Sequence, residues 1–290
     1  MIAKMQGRPR IAIAGATGRV GAVLTGLLAL DPFDILALTR DPGQARVPSG
    51  AGVASVDFDR PGTIGKALDG TDRLFIAHGT SPRQVANEIA LIDAAVAAGV
   101  RHIVKLSVMG PATCLAPYGW HMEIEAHLAR QPVASTVLRP SAFADIFVRF
   151  AREIAAGSWT GAAGNGRVNF IDTRDVARAA RAALVEDAAP GSQRVYHLTG
   201  PGALTMEQLA GEFSRLLGRA VLYRHRSAEA LRAALLAGGT SPFVTDLLMG
   251  LDRMFRDSVH AETTQTVRDL TGVPPRSMPE WITDNIALFR

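Results

Sequence analysis

The chain has 290 residues, 48% of them hydrophobic, and a formal net charge of +4. These values predict a globular protein with a large buried core, and no apolar run approaches the length of a membrane span. Residues 1–10 lack the apolar segment of a secretory signal and are predicted to form a flexible N-terminal extension. Cys114 is the only cysteine, so an intramolecular disulfide is excluded and a cytoplasmic location is favoured.

The basic character of the chain does not point to nucleic acid. Its 31 basic residues are scattered arginines apart from Lys4, Lys66 and Lys105, and they form no dense stripe with interleaved aromatic residues. Histidine, cysteine and acidic residues show no metal-ligand spacing, so no metal is expected. The expected partner is therefore a small molecule rather than nucleic acid or a membrane. A monomer and a homodimer are both compatible with the sequence.

The first predicted element is a buried strand that turns sharply into a helix. An apolar run from Ile11 to Ala14 ends in the glycines of a GxxGxxG pattern, and apolar residues at helical spacing continue to Leu30. Backbone N–H groups and the helix dipole converge at such a turn, which suits the pyrophosphate of a dinucleotide. A purely structural strand–helix turn is the alternative. The predicted cofactor contacts in this turn are Gly15, Thr17, Gly18, Arg19 and Val20, with Gly21 packing the helix on the sheet.

The end of the second predicted strand, at 35–40, bears on which dinucleotide is bound. An NAD site usually places an acidic residue there for the ribose 2′-hydroxyl, whereas an NADP site offers an arginine to the 2′-phosphate. This chain has Arg40 at that position, and Arg19 in the turn is a second candidate cation. The alternative is a solvated Arg40 neutralised by Asp41. The sequence favours NADP(H) over NAD(H).

Strands and helices alternate through the following residues. Strands are predicted at 53–58, 73–77, 102–107 and 134–139, with helices at 62–69, 82–98 and 119–130. This alternation predicts an α/β fold, a Rossmann-type doubly wound parallel sheet. Later predictions are helices at 144–156, 173–186 and 206–217, a glycine-rich turn at 161–167, a strand at 168–171 and a mainly helical C-terminal part.

Three later segments are predicted in more detail. Asp172 with Asp175, and Thr205 with Gln208, have the spacing of a helix cap and its third-position partner. The methionine-rich segment 243–255 is predicted to be a buried helix, with a substrate lid or a partner surface as alternatives.

Several motifs together resemble one family. The segments GATGRVG, Thr39-Arg40, AAVAAGVRHIVKLSVMG and TVLRPSAF resemble the NmrA-like branch of the atypical short-chain dehydrogenases/reductases. Residues 157–167, followed by Asp172-Thr-Arg-Asp175, are similar to bacterial type 2 NAD(P)H:quinone oxidoreductases within that branch. The resemblance implies an NAD(P)-binding Rossmann domain at 11–156 and a smaller, mainly helical substrate lobe at 157–290, with 167–200 returning to the Rossmann sheet. It also implies that the cofactor is bordered by Asp57, Phe58, Ala77, His78 and Gly79.

The candidate catalytic residues depart from the ordinary short-chain dehydrogenase pattern. Ser107 ends the fifth strand, where that family has its serine, but Met122 stands where Tyr118 would need a lysine to lower its pKa. The type 2 quinone reductases resembled here have a histidine matching His121, which is suited to donate to a developing phenolate. A surface pair between His121 and Glu125 is the alternative.

Two aromatic residues are candidate substrate contacts, and two functions remain open. Phe143 and Trp120 are predicted near the substrate, although Trp120 shares the core-like spacing of Ile124 and Leu128. The first function is an NADPH-dependent reductase that transfers hydride to a quinone or a similar carbonyl or conjugated acceptor. The second is a non-catalytic NADP(H)-binding redox sensor that acts through a protein partner, an alternative favoured by the missing lysine.

Overall fold

The computed structural model describes residues 8–110 and 116–290, so that residues 1–7 of the predicted extension and Cys114 lie outside the described residues. The strands are β1 (Arg10–Ala14), β2 (Asp34–Thr39), β3 (Gly52–Ser55), β4 (Arg73–Ile76), β5 (His102–Leu106), β6 (Ala134–Pro140), β7 (Ala142–Phe143), β8 (Ser158–Gly161), β9 (Val168–Ile171), β10 (Gln193–Leu198), β11 (Ala203–Leu204) and β12 (Leu222–His225). The helices are α1 (Arg19–Leu28), α2 (Gly62–Leu68), α3 (Gln84–Ala97), α4 (Tyr118–Leu128), α5 (Ala151–Ala155), α6 (Thr173–Val185), α7 (Met206–Leu217), α8 (Ala228–Ala237), α9 (Pro242–Arg256), α10 (Thr266–Thr271) and α11 (Met278–Asp284).

The central sheet has seven strands in the order β10-β6-β5-β4-β1-β2-β3. The pairs from β3 across to β6 are all parallel, with Ile13 opposite Ala37 on one side and Phe75 on the other. From the adjacent strands β1 and β4, the strand order runs outward in opposite directions. The boundary between these two strands is therefore the topological switch point of a doubly wound sheet. The predicted Rossmann-type fold is therefore confirmed.

The chain divides into two compact units. The first holds the described residues up to Val108 together with Trp120–Arg139 and Val176–Tyr196. Its strands are nearly continuous apolar runs, as expected for a parallel sheet covered on both faces. The side chains of Leu74, Ile92 and Ile124 belong to one buried cluster that joins the sheet to the helices on it.

The second unit holds Pro140–Asp175, His197–Arg290 and the described residues of Met109–Gly119. It contains two small sheets, β11-β9-β7 and β12-β8. Its core is aromatic: the Phe147 ring lies edge-on to Phe170 with centroids 5.0 Å apart, and Phe213 meets Phe289 at 5.0 Å. Such edge-to-face pairs add to the stabilisation from burial.

Most of the predicted helices, strands and helix caps were confirmed. The differences occur where tertiary contacts determine the local structure. α1 ends at Leu28 rather than Leu30, and the first half of the predicted helix 144–156 is a 3₁₀ segment, Ala144–Phe150. The Thr205–Gln208 capping box is present. Asp172 also caps its helix by accepting from the N–H of Arg174, but the carboxylate of Asp175 accepts from Arg276 instead.

Helix α9 differs from the fully buried helix predicted for 243–255. Thr245, Met254 and Phe255 are buried, whereas Phe243 and Val244 are exposed. The helix is amphipathic, so its buried apolar residues lie on one face only.

Candidate functional site

The outer glycines of the turn after β1 are fixed by close backbone packing. Gly15 has a φ of +88°, and a Cβ atom there would lie 2.1 Å from the carbonyl oxygen of Ala77. A Cβ atom on Gly21 would lie 2.1 Å from the carbonyl oxygen of Gly15. Side chains at these positions would push α1 and β4 away from β1, so the turn requires glycine at both.

The middle of the turn is open and offers backbone donors. Gly18 is the N-cap of α1 and supplies no side-chain cap, so the first N–H groups of the helix are available to an anion. Thr17, Gly18 and Arg19 are exposed, whereas the Val20 side chain is buried. Val20 can therefore offer only its backbone to a ligand.

Two arginines, Arg19 and Arg40, flank this turn. Arg40 directly follows β2, and both Arg40 and Arg19 are exposed. Within residues 8–110 and 116–290, neither guanidinium forms an ion pair or a side-chain hydrogen bond. The Asp41 carboxylate accepts from the N–H of Gly43 at 3.1 Å and forms no ion pair with Arg40 among the described residues.

The residues after β4 form an ordered group with Phe58. The rings of Phe58 and His78 meet edge to face with centroids 5.8 Å apart. His78 Nδ1 lies 2.6 Å from the Gly79 carbonyl oxygen, and its Nε2 lies 2.9 Å from Asn87 Nδ2. A neutral imidazole with its proton on Nδ1 satisfies both contacts, donating to the carbonyl and accepting from the amide. Phe58, His78 and Gly79 are thus brought together beside Ala77.

Asp57, the remaining predicted residue of this group, is held by its own loop. Its carboxylate accepts from Arg60 Nε at 2.7 Å and from the N–H of Asp59 at 2.9 Å. The hydrogen bond from Arg60 is the main cause that lowers the pKa of this carboxyl. Asp57 is therefore a charged residue already committed to shaping its loop.

A buried lysine lies at the centre of the second group of candidates. Lys105 on β5 and Glu88 on α3 have no exposed side-chain surface, and Nζ lies 2.8 Å from Glu88 Oε2. The ammonium also donates to the Leu106 carbonyl oxygen at 3.0 Å and reaches His121 Nδ1 at 3.1 Å. The ammonium therefore has two hydrogen-bond acceptors and, in Glu88, an ion-pair partner.

These contacts fix the protonation of His121. An ammonium can only donate, so Nδ1 accepts from Lys105 and the ring proton lies on Nε2. The Gln84 amide nitrogen lies 3.3 Å from His121 Nε2. The same nitrogen donates to Glu88 Oε1 at 2.9 Å, so the Gln84 amide cannot be flipped to place its oxygen there. Burial, with the Lys105 charge as a second cause, lowers the pKa of His121 to about 2. His121 is thus a neutral donor through Nε2–H.

Ser107 and Glu125 belong to a neighbouring cluster. The Ser107 hydroxyl donates to the Glu125 carboxylate, which also accepts from the Arg139 guanidinium. The predicted surface pair between His121 and Glu125 is therefore wrong, since each side chain has other partners. The Ser107 oxygen retains its acceptor capacity, while its proton is committed to Glu125.

Tyr118 belongs to the second unit, where its hydroxyl lies 3.2 Å from Nε2 of the buried His260. Burial raises the pKa of Tyr118 above its ordinary value and lowers that of His260 to about 4. A phenol in this environment is a poor proton donor near neutral pH. Tyr118 and Phe143, which lies on β7, are in the second unit, whereas Ser107, Trp120 and His121 are in the first.

Three residues of this site, Lys105, Glu88 and Gln84, were not predicted from the sequence. A lysine inside an otherwise apolar parallel strand was an available signal, because a buried cation needs a partner. The partner could not be found from spacing, since Glu88 lies on a different element. Only the packing of α3 on the sheet brings the two together.

The NmrA-like family model matches residues 8–261. The chain belongs to the NmrA-like family. Among its NmrA-like relatives, an NAD(P)H azoreductase of Xenophilus azovorans is 31% identical over 285 residues, covering 96% of this chain and 99% of that protein. Quinone oxidoreductase 2 of Escherichia coli is 30% identical over 279 residues, covering 93% of this chain and 96% of that protein.

A solved structure of an NADPH-dependent quinone oxidoreductase from Escherichia coli, complexed with NADPH, has the same fold as this NmrA-like chain. The TM-score is 0.87 at 28% sequence identity, and the match covers 95% of this chain and 99% of that one. Every helix in the described part of the NmrA-like chain is too short or too polar to cross a membrane.

Proposed function

We propose that this protein is an NADPH-dependent reductase that transfers hydride to a quinone or a similar carbonyl or conjugated acceptor. The observation that carries the proposal is Arg40, which has no partner among residues 8–110 and 116–290 and follows β2 beside an open glycine turn at the switch point of the sheet. The names of the relatives support the same reaction type. When bound, the reduced nicotinamide supplies the hydride.

The first unit has the groups that such a cofactor needs. The open N–H groups at Gly18 and the start of α1 would bind the pyrophosphate, as they carry no internal cap. Arg40, aided by Arg19, would bind the 2′-phosphate, because a guanidinium matches phosphate geometry and neither side chain has a partner in the part of the chain that the structure describes. Phe58 and His78 would border the rest of the cofactor.

His121 is the favoured donor to the acceptor oxygen. Its Nε2–H has no internal acceptor among the described residues, and its Nδ1 is held by Lys105. A neutral N–H stabilises a developing phenolate by hydrogen bonding without any strong acid or base. Lys105 and Glu88 act through His121 and are positioning residues.

The test is a direct assay of purified protein with NADPH and a panel of quinones, following the loss of reduced-nicotinamide absorbance. Turnover with at least one quinone is expected. Tight NADP⁺ binding without turnover of any acceptor would refute the reductase and favour the alternative, a redox sensor that acts through a protein partner.

A single substitution tests the preference for NADP(H) over NAD(H). Arg40→Ala is expected to weaken NADPH binding by about tenfold or more while leaving NADH binding nearly unchanged, because it removes a charge-assisted contact to the 2′-phosphate. Arg46→Ala, at another exposed arginine of the same segment, is the matched control. An unchanged NADPH/NADH affinity ratio in Arg40→Ala would contradict the NADP(H) preference.

A further inference from the structure

Reduction of a quinone to a hydroquinone consumes a proton as well as a hydride. Hydride transfer alone leaves an oxyanion, and a positioned side chain can supply the proton that this oxygen then takes. His121 points no second proton at it, because a neutral imidazole carries one proton, here on Nε2. Burial and the Lys105 charge lower the pKa of His121 to about 2, so a charged imidazolium does not form near neutral pH. A proton that leaves His121 from Nε2 must therefore be replaced by one that enters at Nδ1.

Lys105 lies on the Nδ1 side of the ring. Its Nζ is 3.1 Å from His121 Nδ1, and an ammonium at that distance directs an N–H at the ring nitrogen. The pair with Glu88 at 2.8 Å keeps this ammonium in place inside the first unit. Glu125, one turn further along α4, binds Arg139 instead. Lys105 is thus placed to supply the proton that enters at Nδ1, and the partly exposed His121 to pass one on.

Gln84 completes hydrogen bonding when the ring proton changes sides. With the proton on Nε2, this N–H and the Gln84 amide nitrogen are two donors 3.3 Å apart. With the proton on Nδ1, Nε2 becomes an acceptor for the second amide N–H of Gln84, while the first stays on Glu88 Oε1 at 2.9 Å. The Nδ1–H then donates to Lys105 Nζ, which as a neutral amine has a lone pair. Both ring nitrogens therefore have partners in the second tautomer.

We propose that Lys105 and His121 form a proton relay that completes reduction of the acceptor, an inference that rests on the proposed reductase function. As the oxyanion forms, the Nε2–H bond of His121 breaks and an O–H bond forms on the product. At the same time an Nζ–H bond of Lys105 breaks and an Nδ1–H bond forms. His121 is the member that touches the acceptor, whereas Lys105 and Gln84 are positioning residues that act through it.

The relay leaves Lys105 as a neutral amine beside the Glu88 carboxylate, so the network has lost one positive charge and the product has gained one proton. The electrons of the hydride stay on the product. After the product leaves, a proton from water binds His121 Nε2 and the Nδ1 proton returns to Lys105, which restores the starting tautomer and charge.

The tautomer change is tested on the full chain without cofactor, by NMR of the ¹⁵N-labelled histidine rings. The His121 signal is assigned by its loss in His121→Gln. At pH 7 the ring proton is expected on Nε2, and it should move to Nδ1 as the pH is raised through about 9–11, where lysine side chains lose a proton. A ring that keeps its proton on Nε2 until the chain unfolds would overturn the relay.

Gln84→Leu tests the amide contact in the same experiment. The ratio of the Nδ1–H to the Nε2–H tautomer at alkaline pH is expected to fall about fivefold, because one hydrogen bond to Nε2 is lost. Gln131→Leu is the matched control, since Gln131 also places its amide nitrogen 3.1 Å from a histidine Nε2, that of His127. Equal ratios at His121 in the two variants would overturn the assignment of Gln84.

The transfer itself is tested by single-turnover quinone reduction with NADPH in mixtures of H₂O and D₂O. Because two protons move together, the rate should depend quadratically on the deuterium fraction. In Lys105→Met/Glu88→Leu, in which no buried charge is left unpaired, the rate should fall by about 10²-fold or more and the dependence should no longer be quadratic. A purely structural role of Lys105 would change the rate but not the form of this dependence.

Two kinds of failure are distinguishable. Quinone reduction with a linear dependence in the unaltered protein, or with the same quadratic dependence in the double variant, would overturn the relay alone. Failure to reduce any quinone would refute the proposed function and the relay with it.

Discussion

Removal of the Lys105 ammonium is expected to be among the most damaging single changes in the first unit. Lys105 and Glu88 are both wholly buried, with Nζ and Oε2 2.8 Å apart. Lys105→Met keeps a similar apolar volume but leaves the Glu88 carboxylate buried without a counter-charge. Breaking a buried pair in this way costs about 3–5 kcal/mol. The hydrogen bonds to Leu106 and His121 are lost as part of that cost.

The measurement is the free energy of unfolding from urea denaturation at pH 7, followed by circular dichroism. Lys105→Met should lower it by about 3–5 kcal/mol, and the double variant Lys105→Met/Glu88→Leu should recover most of the loss, because an apolar replacement of a whole buried pair is often nearly neutral. Lys66→Met, at an exposed lysine of α2, should change it by less than about 0.5 kcal/mol. A loss below about 1 kcal/mol in Lys105→Met would refute the reasoning.

Three other measurements follow from the same structure. Gly15→Ala should lower the free energy of unfolding by at least about 2 kcal/mol more than Gly50→Ala does. Both glycines have a positive φ (+88° and +89°), but only a Cβ atom at Gly15 would meet a backbone oxygen. Equal losses of the two variants in urea denaturation would contradict this. The buried His102 and His260 have pKa values lowered to about 4. The unfolded chain therefore binds more protons below pH ~6.5, and the free energy of unfolding should fall from there towards pH ~4, with a shallower slope in His102→Gln. In Lys105→Met the pKa of His121 should rise, since one of its two causes is removed; an unchanged NMR titration of His121 would argue against the contact.

The fold was largely predictable because its signals are local. A strand, a glycine turn and a helix follow one another within residues 10–28, and packing at Gly15 and Gly21 confirmed the steric need for both glycines. The Thr205–Gln208 box was equally local and correct. Spacing along one helix or one turn carries this information directly.

The candidate site was less predictable because its partners are distant in sequence. Spacing along α4 suggested His121 with Glu125, but the sheet brings Lys105 to the first and Arg139 to the second. The pairing of β8 with β12, which joins residues 158–161 to 222–225, was also missed, since both strands are short and one lies in a glycine-rich segment. These contacts depend on tertiary packing, which a periodic pattern does not encode.

The close packing of the glycine turn has a consequence for the energetics of ligand capture. Because the Gly15 and Gly21 backbones already lie against Ala77 and against each other, the donor groups at the start of α1 are set before any anion arrives. Little conformational entropy of the turn remains to be lost when an anion binds. Preorganisation of this kind strengthens binding, because less of the contact free energy is offset by ordering the site. The uncapped amides at the start of α1 should accordingly exchange rapidly in the free protein and slow down when a dinucleotide binds.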